Sequence, residues 1–268
     1  MIGVRFKGRL GNQLFQYCFL MYLKSKRPGK FFFFPNPHHA SLARYFDLGF
    51  YHNLTLNSKL YSLFTRVLPS VMKFEEAQLH NFVAPKDISV KDNTIYNGYF
   101  QSDFYIKQLP EDFTLRIKKK FREKFYRQYG PVFEKGPTLA VHIRRTDYLT
   151  YGKRDISLPI EYYHRELSRI ENLGSYTVFF TGDDISYIRS SFGEKPNFIF
   201  SENDAITDFQ IIQHADTAII SNSTFAWWAA YLSEKPQKVI APKNWMAFRI
   251  GREHPKGIMT DKFTWVDV

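Results

Sequence analysis

Hydrophobic positions in the second half of the chain fall into short β-rich runs separated by stretches of helical spacing. Leu139–Ile143 (LAVHI) predicts a strand, and Pro159–Asn172 follows with Tyr163, Leu167 and Ile170 on one helical stripe. Tyr176–Thr181 predicts the next strand, Ile185–Phe192 a short helix stopped by Gly193, and Asn197–Phe200 a strand. Ala205–Ala215 predicts a helix with Phe209 and Ile212 on one face, and Thr217–Ile220 a strand. Phe225–Leu232 predicts a helix, and Lys238–Ala241 a strand closed by Pro242. Strand and helix alternate in this way only where crossover helices join the strands of a parallel sheet. The first half opens similarly, with a strand at Ile2–Phe6, an apolar helix at Asn12–Lys26 and a buried strand at Phe31–Phe34. Between about 40 and 135 the pattern weakens. It recovers in a basic amphipathic helix at Lys118–Tyr129, and the Gly- and Pro-bearing stretch 130–138 reads as a linker.

Composition narrows the class. The chain has 268 residues, 44% hydrophobic and 24% charged, the profile of a globular protein long enough for two lobes. Its 27 Phe and 17 Tyr are accounted for chiefly by an aromatic core. Net charge is +11, which suits an anionic partner: nucleic acid, a membrane surface or a phosphorylated small molecule. No nucleic-acid module is recognisable and the basic residues form no single stripe, so nucleic acid is not expected. The single cysteine, Cys18, permits no internal disulfide. Arg5, Lys7 and Arg9 interrupt any leader-like apolar region. Tyr17–Leu23 is among the longest apolar runs, far short of the ~20 residues of a spanning helix. A cytoplasmic location, with peripheral contact at the inner membrane surface, is the resulting expectation.

The candidate chemistry follows the strands. In open α/β sheets ligands bind outside the carboxyl ends of the strands. After Leu139–Ile143 come Arg144, Arg145, Thr146 and Asp147, and after Tyr176–Thr181 come Asp183 and Asp184. After Thr217–Ile220 come Ser221, Asn222, Ser223 and Thr224. Two arginines clustered behind a buried strand suit a diphosphate, whose oxygens match the planar guanidinium fork. One of the two would pair with Asp147. A hydroxyl-bearing helix start at Ser223–Thr224 offers free N–H groups to an anion. The adjacent Asp183-Asp184 pair lacks metal-ligand spacing, so no metal is expected; a carboxylate there would accept the N–H donors of a guanine edge. His142, inside its strand, has the setting of a core residue. The first turn, Gly8–Gln13, brings Gly11 and Asn12 to a strand–helix junction without the full dinucleotide or P-loop pattern.

Three segments together resemble the fucosyltransferases that share a His-x-Arg-Arg-x-Asp motif, and most closely the bacterial α-1,2-fucosyltransferases of glycosyltransferase family 11. They are Gly8–Tyr17 (GRLGNQLFQY), His142–Tyr148 (HIRRTDY) and Asn222–Ala230 (NSTFAWWAA). The resemblance implies a GT-B-like α/β fold of two Rossmann-like lobes with parallel sheets and an interlobe cleft. It places an acceptor-side lobe over residues 1–135 and a GDP-sugar lobe over 136–268. It implies inverting transfer of L-fucose from GDP-β-L-fucose to the 2-hydroxyl of a terminal β-galactoside, on an oligosaccharide or lipid-linked glycan, without cofactor or metal. Carried over, Arg144 grips the β-phosphate with Arg145 beside it, and His142 helps place the nucleotide. Asp183 meets guanine, Asn222, Ser223 and Thr224 bind phosphate, and Gly11 and Asn12 close the site. Asp147 is either the base or the arginine's orienter. Arg9 and Thr146 stand where many relatives carry glycine, which leaves the acceptor more open than the donor. A different nucleotide-sugar donor and non-catalytic nucleic-acid or carbohydrate binding are the competing readings.

Overall fold

A computed structural model describes residues 1–34, 41–48 and 56–268. Contacts divide the chain into one unit of 1–118 with 254–260, and another of 119–253 with 261–268.

In the first unit, β1 (Ile2–Val4) leads into α1 (Leu10–Lys26) and β2 (Phe32–Phe33). Then come α2 (Ser41–Tyr45), β3 (Phe46–Asp47), α3 (Leu56–Val71), β4 (Glu75–Gln78), β5 (Thr94–Asn97) and β6 (Arg116–Ile117). Strands β2, β1, β5 and β4 form one sheet in that order, parallel throughout, while β3 and β6 pair antiparallel apart from it. Chain order reverses between β1 and β5, so the loops after these two strands meet at one edge. There α1 buries Phe15, Cys18, Phe19 and Leu23, and Phe19 stacks on Phe100 at 3.8 Å between ring centres.

Residues 254–260 return to this unit. The Lys256 amide donates to the Asn81 carbonyl at 2.9 Å, and the Thr260 hydroxyl donates to Asp103 at 2.7 Å. Phe82 stacks on His254, and Gly257 sits at φ +84° against Ser102 and Pro85, where a Cβ would come within 2.7 Å of the Ser102 hydroxyl.

The second unit begins with α4 (Lys119–Lys135), β7 (Thr138–Ile143), α5 (Ile160–Ser168), β8 (Thr177–Gly182) and α6 (Ile185–Phe192). It continues through β9 (Phe198–Phe200), α7 (Ala205–His214), β10 (Thr217–Ile219), α8 (Thr224–Tyr231), β11 (Lys238–Pro242) and β12 (Thr264–Val266). One fully parallel sheet results, in the order β12, β11, β10, β7, β8, β9. Strand β7 is buried at every position, as a central parallel strand must be, which is why its apolar run is nearly continuous. The stretch read as a linker is not one: α4 runs through Gly130 and Pro131 to Lys135. Phe125 and Phe133 of α4 pack on His214 and Phe179 of this sheet layer, so the helix belongs to the second unit and the contact boundary falls at 118/119.

The architecture is GT-B-like α/β with parallel sheets. In the second sheet the chain lays β8 and β9 on one side of β7 and β10 to β12 on the other. The switch point lies between β7 and β10, and the crevice for a ligand opens beyond their carboxyl ends.

Candidate active site

The loops that leave this switch point carry Arg144–Asp147 after β7 and Ser221–Thr224 after β10. The register pairs Ile143 with Gly182 and His142 with Thr181, so the β8 exit, Asp183 and Asp184, stands beside the two arginines. Only glycine fits at 182, because a Cβ would lie 2.4 Å from the Ile143 carbonyl oxygen and 2.7 Å from Ile188 Cδ1.

Asp183 is the hub of the turn. Its Oδ1 accepts the Arg145 amide at 2.8 Å, and its Oδ2 accepts the Thr146 amide at 3.2 Å and the Thr146 hydroxyl. Arg144 Nη1 lies 3.2 Å from the same oxygen. Burial pushes the Asp183 carboxyl up, but the Thr146 hydroxyl, the Arg145 amide and the Arg144 guanidinium outweigh it and hold the group below the usual carboxylate range. Three of the four donors converge on Oδ2, and Oδ1 accepts the Arg145 amide.

Arg144 also reaches Asp147, with Nη2 2.6 Å from Oδ1, and its guanidinium lies over the Tyr148 ring at 5.6 Å. Two carboxylates and an aromatic face therefore fix a guanidinium that keeps 17% of its side-chain surface open. Arg145 turns elsewhere: it pairs with Asp184 at 2.9 Å and stacks on Tyr187 at 4.0 Å. Asp184 in turn caps α6, accepting the Tyr187 amide at 3.2 Å. The bridge to Asp147 is thus made by Arg144 itself, and Arg145 is anchored to the neighbouring helix start.

His142 lies beneath the arginines, 5% exposed, with Nδ1 2.9 Å from the Ser221 hydroxyl. Burial, and next the Arg144 cation, lower its pKa to about 4, so the imidazole is neutral at physiological pH. It links β7 to β10 from below, and Tyr148 donates to the Asn222 carbonyl at 3.2 Å to link the two loops from above. Asn222 Nδ2 donates to the Ile156 carbonyl at 2.8 Å, leaving its buried Oδ1 with no hydrogen-bond partner among the described residues. Ser223 is the N-cap of α8, yet its hydroxyl makes no capping bond. A hydroxyl that leaves its own helix uncapped is available to an anion at that helix start. Thr224 opens the first turn.

Gly11 and Asn12 sit in the first unit, near the start of α1. Gln101 donates to Asn12 Oδ1 at 2.8 Å, Gln13 donates to the Gly8 carbonyl at 3.0 Å, and Gln16 donates to the Gly98 carbonyl at 3.1 Å. The amides of this segment hold the loops after β1 and β5 together at the first sheet's own switch point. Among the described residues, no three His, Cys, Asp or Glu side chains are arranged to hold a metal ion. Tyr187, and the roles of Tyr148 and the Thr146 hydroxyl, escaped the sequence reading, since nothing in their spacing marks a cation–π support or a carboxylate donor.

Comparison with known sequences decides the family, for residues 1–264 match glycosyl transferase family 11. The chain belongs to glycosyltransferase family 11. The family 11 chain is 28% identical to the O-antigen biosynthesis glycosyltransferase WbnK of Escherichia coli, over 64% of its own length and 62% of WbnK. It is 26% identical to an α-1,2-colitosyltransferase of Escherichia coli, over 91% of its length and 92% of that protein. It is 25% identical to the galactoside 2-α-L-fucosyltransferase Sec1 of Mus musculus, over 87% of its length and 64% of that protein. It shares its fold with the α-1,6-fucosyltransferase NodZ in a crystal soaked with GDP-fucose, at TM-score 0.57, 12% identity and 90% and 94% coverage. POFUT1 in complex with GDP is similar at TM-score 0.52, 14% identity and 90% and 97% coverage.

Proposed function

We propose that this chain transfers L-fucose from GDP-β-L-fucose, with inversion, to the 2-hydroxyl of a terminal β-galactoside on an oligosaccharide or lipid-linked glycan. The observation that carries the reading is Arg144, held by Asp147 and Asp183 at the switch point beside the uncapped start of α8. As the bond from the sugar anomeric carbon to the β-phosphate oxygen breaks, its electron pair moves onto the diphosphate. A positioned guanidinium and the positive end of the helix dipole stabilise that growing charge more than they stabilise the intact donor. The acceptor oxygen attacks the opposite face of the anomeric carbon, and its proton passes to solvent as the new bond forms. Asp147 is committed to Arg144 and serves as its orienter. No metal is invoked: the cationic side chain and the helix start take the leaving-group charge.

The named relatives favour one second reading, a colitosyl donor, because a 26% identical protein carries that activity in its name. Calorimetric titration with GDP, UDP and ADP, followed by GDP release from GDP-fucose and GDP-colitose across a panel of β-galactosides, separates the readings. GDP alone should bind. Absence of GDP binding overturns the proposal, and turnover with GDP-colitose only replaces the donor.

A further inference from the structure

Helix α3 meets the first unit's core through Leu68 and Tyr61, against Phe33 and Ile95, and turns most of its other large apolar side chains outward. The side chains it buries are Ser58, Ser62, Thr65 and Leu68, and those it turns outward are Leu56, Leu60, Leu63, Phe64, Val67 and Val71. At 3.6 residues per turn the six outward residues share an arc of about 100°, opposite the hydroxyl-bearing face. Leu56 and Val71, near the two ends, are each 71% exposed, and Leu60 and Leu63 between them are more than half exposed. Phe31, itself exposed, meets the Phe64 ring edge-on at 6.1 Å and widens the strip. On the inner side the Ser62 hydroxyl is buried without a hydrogen-bond partner among the described residues. A helix that only covered its own sheet would be patterned the other way round, and isolated exposed apolar residues do not line up along four turns.

We infer that α3 docks the protein on an anionic lipid surface, lying in the plane of the interface with this strip inserted among the acyl chains. Charge selects the occupant. The helix carries Lys59 and Arg66, both on one flank of the strip, and no acidic residue; Lys73 follows after Met72. An antiparallel two-fold pairing of α3 with a second copy would gather four cations along one side of the seam, whereas anionic headgroups attract them. Apolar strip, cationic flank and absence of acid are the features of helices that rest on membranes rather than cross them. The inference is independent of the transfer reaction, since α3 contributes nothing to the arginine site.

Flotation of the full chain with vesicles tests it. The wild-type protein should float with mixed phosphatidylcholine–phosphatidylglycerol vesicles and remain below with pure phosphatidylcholine. Leu63→Glu should lower binding by at least about tenfold, and Lys59→Gln or Arg66→Gln by about fivefold each. Leu63 and Lys59 are exposed, so the melting temperature and GDP affinity of Leu63→Glu and Lys59→Gln should be unchanged. Wild-type protein that stays in solution with both vesicle types overturns the inference, as does a Leu63→Glu variant that floats equally well. Self-association in vesicle-free sedimentation that Leu63→Glu abolishes also overturns it, in favour of a second copy.

Discussion

At the scale of single residues, Arg144 and Ser223 make separable predictions. Arg144→Ala should cut kcat by about 100-fold or more while the protein stays folded, read by GDP release alongside a thermal melt. Arg144→Lys should recover only part of the loss, because an ammonium cannot reproduce the fork that spans Asp147 and Asp183. Ser223→Ala is informative in another way. Removing an N-cap hydroxyl ordinarily costs about 1 kcal/mol, but this one makes no capping bond, so stability should hardly change. GDP affinity should nevertheless fall about tenfold or more if the hydroxyl binds phosphate. The arginines, Asp147 and Asp183 were legible in the sequence because each follows a strand. How Asp183 is held was not, because its four donors come together only through the pairing of β7 with β8, thirty-odd residues away in the chain.

Whole elements carry their own tests. Gly182 lets β8 leave the sheet against the Ile143 carbonyl, so Gly182→Ala should destabilise by about 1–3 kcal/mol and loosen the Asp183 hub, lowering Tm and GDP affinity together. In α7, burial pushes Asp208 up to about 7, against the Ser201 hydroxyl that donates to it, and Asp204 adds to the rise. A carboxyl raised in the folded state stabilises most below its unfolded value near 4, and that contribution is lost as pH climbs through 7. Asp208→Asn keeps an acceptor for Ser201 and removes the buried charge. It should raise Tm at pH 8 and change little at pH 5. The elements of the second unit were readable because buried parallel strands are unbroken apolar runs and helices between them keep period. Helix α4 was cut short on paper by Gly130 and Pro131, which packing against Phe179 and His214 overrides. In the first unit β3, β4 and β6 are short, polar or both, and such strands leave no period to find. Strand β12 was passed over for the same reason of length.

Across the whole molecule, pH acts through opposed groups. His142 is buried neutral with a pKa near 4, so the unfolded chain takes up its proton first, and this contribution to stability drains away as pH falls from about 6.5 to about 4. Asp208 slopes the other way across the same window. In wild-type protein the two should partly cancel, and Asp208→Asn should uncover a steeper rise of Tm between pH 4.5 and 6.5. Because His142 stays neutral above pH 5, any activity limb between pH 6 and 8 belongs to another group.

The seven residues that cross back to the first unit have a temporal consequence. Asn81 and Asp103 are made well before their partners at Lys256 and Thr260, which lie far later in the chain. The first unit must therefore wait, incompletely sealed, until residues 254–260 have been made. A nascent chain stalled before 254 should be cut by protease in the 80–105 region, and one released after 260 should resist.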